Sequence, residues 1–297
     1  MAQDERRGRD LTDPTVLRTL LARYGIRHTQ KSLGQHLLIS REALESIIAA
    51  ADLAPDESVL EVGAGHGVLT VELASRVRRV VAVEVDREIL PVLRETTATY
   101  PAVEVLGGDL LDVVPAKVFA GVPYKLVANL PYYITAMALR HFIEATQPPA
   151  LMVTMVQREV AQRMVAEPGD MSLLSLSVRI YGEPRMVAQV PASAFFPPPR
   201  VDSAVVRIQP YAEPKVTPAQ KHGIFALAHA AYHEKRKQIH NSLSRQLHVE
   251  PEVVRAWLTG ASIEPALRPQ MLSLDDWLRL LSAALAHGWI PPVKLPK

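Results

Sequence analysis

Three groups of residues in this 297-residue chain have the types and spacing to do chemistry. The first, Gly63-Ala64-Gly65-His66-Gly67, follows the apolar run Ser58-Val59-Leu60-Glu61-Val62 and precedes a helical pattern from Val68 to Arg76. Glycines after a strand let the backbone turn tightly and approach a ligand closely. The second is Glu84, which closes the run Val80–Val83 and lies 21 residues after Gly63. A carboxylate there can accept hydrogen bonds from both hydroxyls of a ribose. The third, Asn129-Leu130-Pro131-Tyr132, closes the run Leu126–Ala128, and Asp109 follows the run Val103–Leu106. Four apolar runs thus deliver a polar or glycine-rich group at their carboxyl ends, where open α/β sheets bind ligands. Alone, the glycines would serve as a tight turn and Glu84 as a solvated strand-end charge. Together they point to a nucleoside ligand. The spacing is Gly-x-Gly-x-Gly rather than the dinucleotide Gly-x-Gly-x-x-Gly, so a nicotinamide enzyme is the first rival.

The fourth run decides against that rival. Asn129-Leu130-Pro131-Tyr132 resembles the motif with which S-adenosylmethionine-dependent methyltransferases grip an exocyclic amine of a nucleobase. The lone pair of adenine N6 is delocalised into the ring. If the Asn129 side-chain oxygen and a carbonyl at Leu130 or Pro131 accept the two N6 hydrogens, the lone pair is aimed at a methyl carbon and the developing positive charge is stabilised. Tyr132 offers a ring for the base to stack on. The segment Lys31-Ser32-Leu33-Gly34-Gln35-His36-Leu37-Leu38 resembles the Phe-Gly-Gln-Asn-Phe-Leu motif of the ribosomal RNA adenine N6-dimethyltransferases, the bacterial kasugamycin-sensitivity enzymes, with His36 where Asn is usual. Residues 190–206, containing Phe195-Phe196-Pro197-Pro198-Pro199-Arg200-Val201-Asp202-Ser203, closely match that family's most distinctive signature.

The resemblance covers about residues 30–290 and implies roles residue by residue. His36, Leu38, Gly63, Gly65, Gly67, Glu84, Asp109 and Asn129 would hold S-adenosylmethionine, with Asp109 on its adenine amine. Asn129, Leu130, Pro131, Tyr132 and Phe195 would carry the reaction, Phe195 and Tyr132 sandwiching a flipped adenine. The three prolines stiffen their loop and are expected to hold Phe195 out of the core. Two family elements are missing: Ser-x-Pro near Thr135–Met137, and Tyr-Gly where Met171-Ser172 stand. The implied reaction is dimethylation of two adjacent adenines in the 3′-terminal stem-loop of small-subunit (16S) rRNA, within an immature 30S particle. The implied protein is a cytoplasmic monomer. A large-subunit methylase of the macrolide-resistance type shares these motifs. A DNA adenine methyltransferase would normally show Pro in place of Leu130. A non-catalytic nucleic-acid binder would not need Glu84, Asp109 and Asn129.

Several elements must position these residues. The expected fold is α/β, a seven-stranded Rossmann-like methyltransferase sheet with a small C-terminal all-α domain. The expected boundaries are a basic N-terminal extension (1–30), a methyltransferase domain (31–212) and a helical RNA-binding domain (213–297). Apolar spacing predicts helices over 14–24, 41–51, 87–97, 134–144 and 158–166. It predicts further strands over 150–156, 173–181 and 185–190. After 217 the pattern is helical throughout, over 218–231, 236–247, 251–258 and 274–287. On the second of these helices Lys237, Asn241 and Arg245 are expected opposite Ile239, Leu243 and Leu247, and with Lys235 and Arg236 they form the expected RNA contact.

Composition agrees with a globular enzyme, 48% apolar and 22% charged. There is no cysteine, which excludes disulfides and thiolate metal sites, and no metal is expected. No apolar run reaches membrane-spanning length, and Met1–Asp10 is too charged for a signal peptide. The net charge of +2 is uneven: residues 1–35 carry 7 basic and 4 acidic side chains, 36–210 carry 15 and 20, and 211–297 carry 11 and 7. Basic ends suit phosphate and an acidic middle suits a cationic cofactor.

Overall fold

Strands that are apolar at nearly every position belong in a sheet covered on both faces. In the computed structural model, which describes residues 10–26, 36–131 and 134–292, these runs take that place. β1 (Leu37–Leu38) is a short strand apart from the main sheet. β2 (Ser58–Val62), β3 (Arg79–Glu84), β4 (Val103–Gly107), β5 (Lys125–Asn129) and β6 (Leu151–Gln157) are parallel neighbours in the order β4-β3-β2-β5-β6. β7 (Gly182–Val190) and β9 (Ser203–Pro210) complete a seven-stranded sheet, with β9 antiparallel to β6. β8 (Phe195–Phe196) pairs with β1. Every residue of β2 is buried, whereas β4, at the sheet edge, is half exposed.

The chain runs outward from β2 to β3 and β4, then returns to place β5 on the other side of β2. That reversal opens a crevice beyond the carboxyl ends of β2 and β5. Helices Arg41–Ala51 and Pro14–Arg23 pack apolar faces into one core with β2, β3, β5 and β6; Leu17, Leu20, Leu21, Leu44 and Ile47 are its helical contribution. Pro91 sits in the first turn of helix Leu90–Thr97, which therefore starts three residues later than the pattern suggested.

The chain divides into two compact units, residues 1–161 with 185–210, and residues 162–184 with 211–297. The second unit contains helices Pro218–His233, Ile239–Leu247, Pro251–Gly260 and Leu274–Ala286 around Trp257, Trp277, Ile224 and Leu243. Its segment 162–184 had been expected inside the methyltransferase region. The strand predicted over 173–181 is a helix, Leu173–Arg179. Alternation of Leu174, Leu176 and Val178 with serines mimics a strand. The capping box between Ser172 and Ser175 starts a helix instead, and Leu176 and Ile180, one turn apart, enter the helical core.

Candidate active site

Gly63, Gly65 and Gly67 all have left-handed backbones, with φ of 72°, 57° and 89°. Their lack of a side chain is also used. A Cβ on Gly63 would lie 3.2 Å from the Asn129 carbonyl oxygen, and one on Gly67 2.6 Å from Thr96 Oγ1. The loop is tied to β3, since the N–H groups of Gly63 and Ala64 both donate to the Val83 carbonyl. Gly65 N–H donates to Glu84 Oε2 at 2.7 Å, and Asp86 N–H to Glu84 Oε1 at 2.9 Å. Glu84 therefore shapes the glycine loop as well as lining the crevice. Its burial raises its pKa, an effect the two backbone donors oppose.

The crevice gathers His36, Leu38, Gly63, Gly65, Glu84, Asp109, Asn129, Leu130, Pro131 and Phe195 in its walls. Gly67 is not among these lining residues; it turns the chain into helix Val68–Ala74. Asn129 ends β5 half-buried, and its side chain makes no hydrogen bond among the described residues. Leu130 N–H donates to the Met155 carbonyl, and the Leu130 side chain is buried. The Pro131 carbonyl accepts from Ile134 N–H and the Thr135 hydroxyl. Asp109 is exposed; one of its oxygens caps the short turn Leu110–Asp112 through Leu111 N–H at 2.9 Å. Tyr132 lies outside the described residues.

Phe195 corrects an expectation. It is only 2% exposed and belongs to the core, although it also forms part of the crevice wall. The prolines do not hold it out because β8 is fastened along its length to β1. Leu37 pairs with Phe196 and Leu38 with Phe195. Ile39 N–H donates to the Ala194 carbonyl at 2.8 Å, and His36 Nδ1 to the Pro197 carbonyl at 2.8 Å. The loop is anchored on its far side by Asp202, whose Oδ1 accepts from Ala192 N–H while Oδ2 meets Arg158. Nothing local in the sequence signals this ribbon, whose strands are separated by about 160 residues.

Sequence reasoning also passed over Glu61 and His66. Glu61 sits in the middle of β2, 1% exposed, and faces the crevice. Burial, reinforced by nearby Glu84, pushes its pKa up to about 8. The Thr70 hydroxyl stands near enough to favour the charged form, yet neither it nor Glu61 Oε2 makes a hydrogen bond among the described residues. An acidic residue inside an apolar strand was the available signal. His66 is buried, its Nε2 donating to the Leu11 carbonyl at 3.2 Å, and burial lowers its pKa to about 4.

The buried Glu61 carboxyl, with one oxygen unpartnered among the described residues, lies beside the glycine loop and fits a ligand with a cationic arm, whose charge would favour the ionised form. The carboxylate of Glu84 fits its ribose. Comparison with known proteins supplies the rest. The ribosomal RNA adenine dimethylase family matches residues 26–283. The chain belongs to this family. Among relatives of the dimethylases, the ribosomal RNA small subunit methyltransferase A of Dehalococcoides mccartyi (strain 195) is 46% identical over 84% of this chain and 87% of its own length. That of Pelotomaculum thermopropionicum is 40% identical over 94% and 98%. Among solved structures, the 23S rRNA methyltransferase ErmE is 30% identical, with a TM-score of 0.69 over 83% of this chain and 98% of its own. A dimethyladenosine transferase from Plasmodium falciparum is 26% identical, with a TM-score of 0.71 over 85% and 98%. The dimethylases use S-adenosylmethionine, and this crevice has the groups to hold it.

In the second unit the expected RNA contacts are all exposed, but not on one helix. Lys235, Arg236 and Lys237 occupy a turn before helix Ile239–Leu247, closed by Lys237 N–H donating to the Glu234 carbonyl at 2.8 Å. Gln238, extended, is the residue that caps the helix, and Ile239 N–H is held by the Leu267 carbonyl. Asn241 and Arg245 lie on the helix, and Arg245 pairs with Glu234 at 2.8 Å.

Proposed function

We propose that this enzyme dimethylates N6 of two adjacent adenines in the 3′-terminal stem-loop of 16S rRNA, acting as a cytoplasmic monomer on an immature 30S particle. The observation that carries the reading is the meeting of Asn129-Leu130-Pro131 with the glycine loop and Glu84 at one crevice: the Gly63 backbone lies against the Asn129 carbonyl. When bound, S-adenosylmethionine supplies an activated methyl group. Glu84 would accept from its ribose hydroxyls and Asp109 from its adenine amine, and Glu61 would face its cationic arm. The Asn129 side-chain oxygen and the Leu130 carbonyl accept the two N6 hydrogens of the target adenine, turning its lone pair out of conjugation. Phe195 closes one side of the site, and Tyr132 stacks on the base. The exposed basic turn of the helical unit meets RNA phosphate. Sequence-independent stacking cannot select a target, so selection rests on such contacts.

The test is methylation of undermethylated small-subunit particles by the purified protein, with the modified nucleotides mapped. N6,N6-dimethyladenine at two neighbouring 16S positions is expected. Methylation of 23S rRNA instead would transfer the protein to the activity of the ErmE type. Asn129→Ala should keep most cofactor affinity and lose roughly 10²–10³ in rate, the scale for one preorganised polar group. Turnover within a few-fold of wild type would overturn the amine-gripping role.

A further inference from the structure

Phe195 and Phe196 are consecutive residues of β8, so their side chains leave on opposite faces of the ribbon. Phe195 faces the crevice, whereas Phe196 is only half-buried, and Arg18 lies over its ring with the guanidinium carbon 5.3 Å from the centroid. Arg18 is exposed on helix Pro14–Arg23, whose opposite face is locked into the core by Leu17, Leu20 and Leu21. The mount is fixed at both ends. Asp10 bonds Arg41, and Arg23 and Tyr24 both hold Glu95.

Arg23, Arg41, Arg76, Arg79, Arg140 and Arg158 of this unit each have a carboxylate partner. Arg18 has none among the described residues, as is also true of Arg78, Arg87, Arg94, Arg185, Arg200 and Arg207; what sets Arg18 apart is its seat on the Phe196 ring. The neighbouring acids are engaged elsewhere, Asp10 with Arg41 and Thr12 and Asp13 with Thr15 N–H. A guanidinium resting on an aromatic face keeps its N–H fork directed outward and available to an anion, and it is the side chain best matched to phosphate. We infer that Arg18, seated on Phe196, binds the RNA phosphate flanking the target adenine. This rests on the adenine-site reading of the crevice, because the ribbon that walls the site with Phe195 carries this cation on its other side. Arg18 is a positioning residue: it holds the backbone of the target strand while the base enters, and touches no reacting atom.

The experiment compares wild type, Arg18→Gln and Arg18→Lys for affinity toward undermethylated small-subunit particles across a salt series, with methylation and S-adenosylmethionine affinity measured in parallel. One lost phosphate contact should shrink the log–log salt slope by about 0.7–0.9 in Arg18→Gln. Arg18→Lys, which keeps the charge and loses the fork, should retain most of the slope with weaker binding. Cofactor affinity should be the same in all three. An unchanged slope in Arg18→Gln, with wild type methylating the particles, overturns the phosphate contact alone and leaves Arg18 as a cover for Phe196. Wild type that binds but methylates no adenine overturns the underlying reading of the site. A slope lost together with cofactor affinity would overturn the inference too, since Arg18 would then be shaping the crevice.

Discussion

At the scale of single residues, Glu61 and His66, two of the buried ionisable groups near the glycine loop, set opposite pH responses. Glu61 titrates near 8 in the folded protein against about 4.5 when unfolded. Between those values the native state holds a proton that the unfolded chain has released. Stability is thus fully present below about 4.5 and is lost as pH rises toward 8. His66 works the other way: with its folded pKa near 4 against 6.5 unfolded, its contribution is present above 6.5 and is lost as pH falls toward 4. Glu61→Gln isolates the first effect. Its stability relative to wild type should grow from pH 5 to pH 8 by about 3–5 kcal/mol, since each pH unit crossed in that window costs the wild type about 1.4 kcal/mol. Parallel urea-unfolding stabilities across that range would show that Glu61 is not held protonated. Residue types announced Glu84, Asp109 and Asn129 because each stands at a strand end, where a polar group is conspicuous. Glu61 was hidden by its place within a strand, and its consequence depends on burial that only the assembled sheet creates.

At the scale of elements, the parallel strands and most helices were legible because burial on both sheet faces and amphipathic spacing leave periodic marks. The ribbon of β1 and β8 left none. Each strand is two residues long, and its partner is remote in sequence. Its consequence is mechanical. The segment expected to hold the cofactor and the loop expected to hold the target base are one hydrogen-bonded piece, so loosening one end should loosen the other. His36→Ala removes the bond to the Pro197 carbonyl, worth about 0.5–1.5 kcal/mol. Exchange of the Ile39 amide, which is bonded to Ala194, should then speed up by roughly two- to tenfold. Hydrogen exchange on the intact protein measures this. An Ile39 amide as protected as in wild type would mean that His36 and the base loop are independent. The misread helix Leu173–Arg179 shows the complementary limit: a seven-residue segment with alternating serines fits either period, and the capping box and tertiary packing decide.

At the scale of the whole molecule, the crevice is lined entirely by residues of the first unit, and the basic turn belongs to the second. The proposed chemistry and the proposed RNA docking should therefore be separable by mutation. The charge distribution had already hinted at this, but the helix spacing that grouped Lys237 with Asn241 and Arg245 did not survive, because Lys237 precedes the helix cap. Lys235 and Lys237 project from a turn held by the Glu234 carbonyl, and neither has a carboxylate partner among the described residues. Arg245 shares its charge with the Glu234 carboxylate. An exposed pair of this kind is worth little to stability; it does cancel the local field that would attract counterions, and so lowers what Arg245 releases on meeting RNA. Lys235→Ala with Lys237→Ala should therefore shrink the log–log salt slope for particle binding by roughly 1.4–1.8, the figure for two lost phosphate contacts. Arg245→Ala should shrink it by less than either lysine, and Glu234→Gln should steepen it by freeing Arg245. S-adenosylmethionine affinity should stay at the wild-type value throughout, since none of the four residues lines the crevice. Particle affinity from low to moderate salt, with calorimetry on the cofactor, provides both readouts. Slopes equal to wild type in the lysine double variant would mean that this turn is only solvated, and RNA docking would then have to come from the basic residues of the first unit.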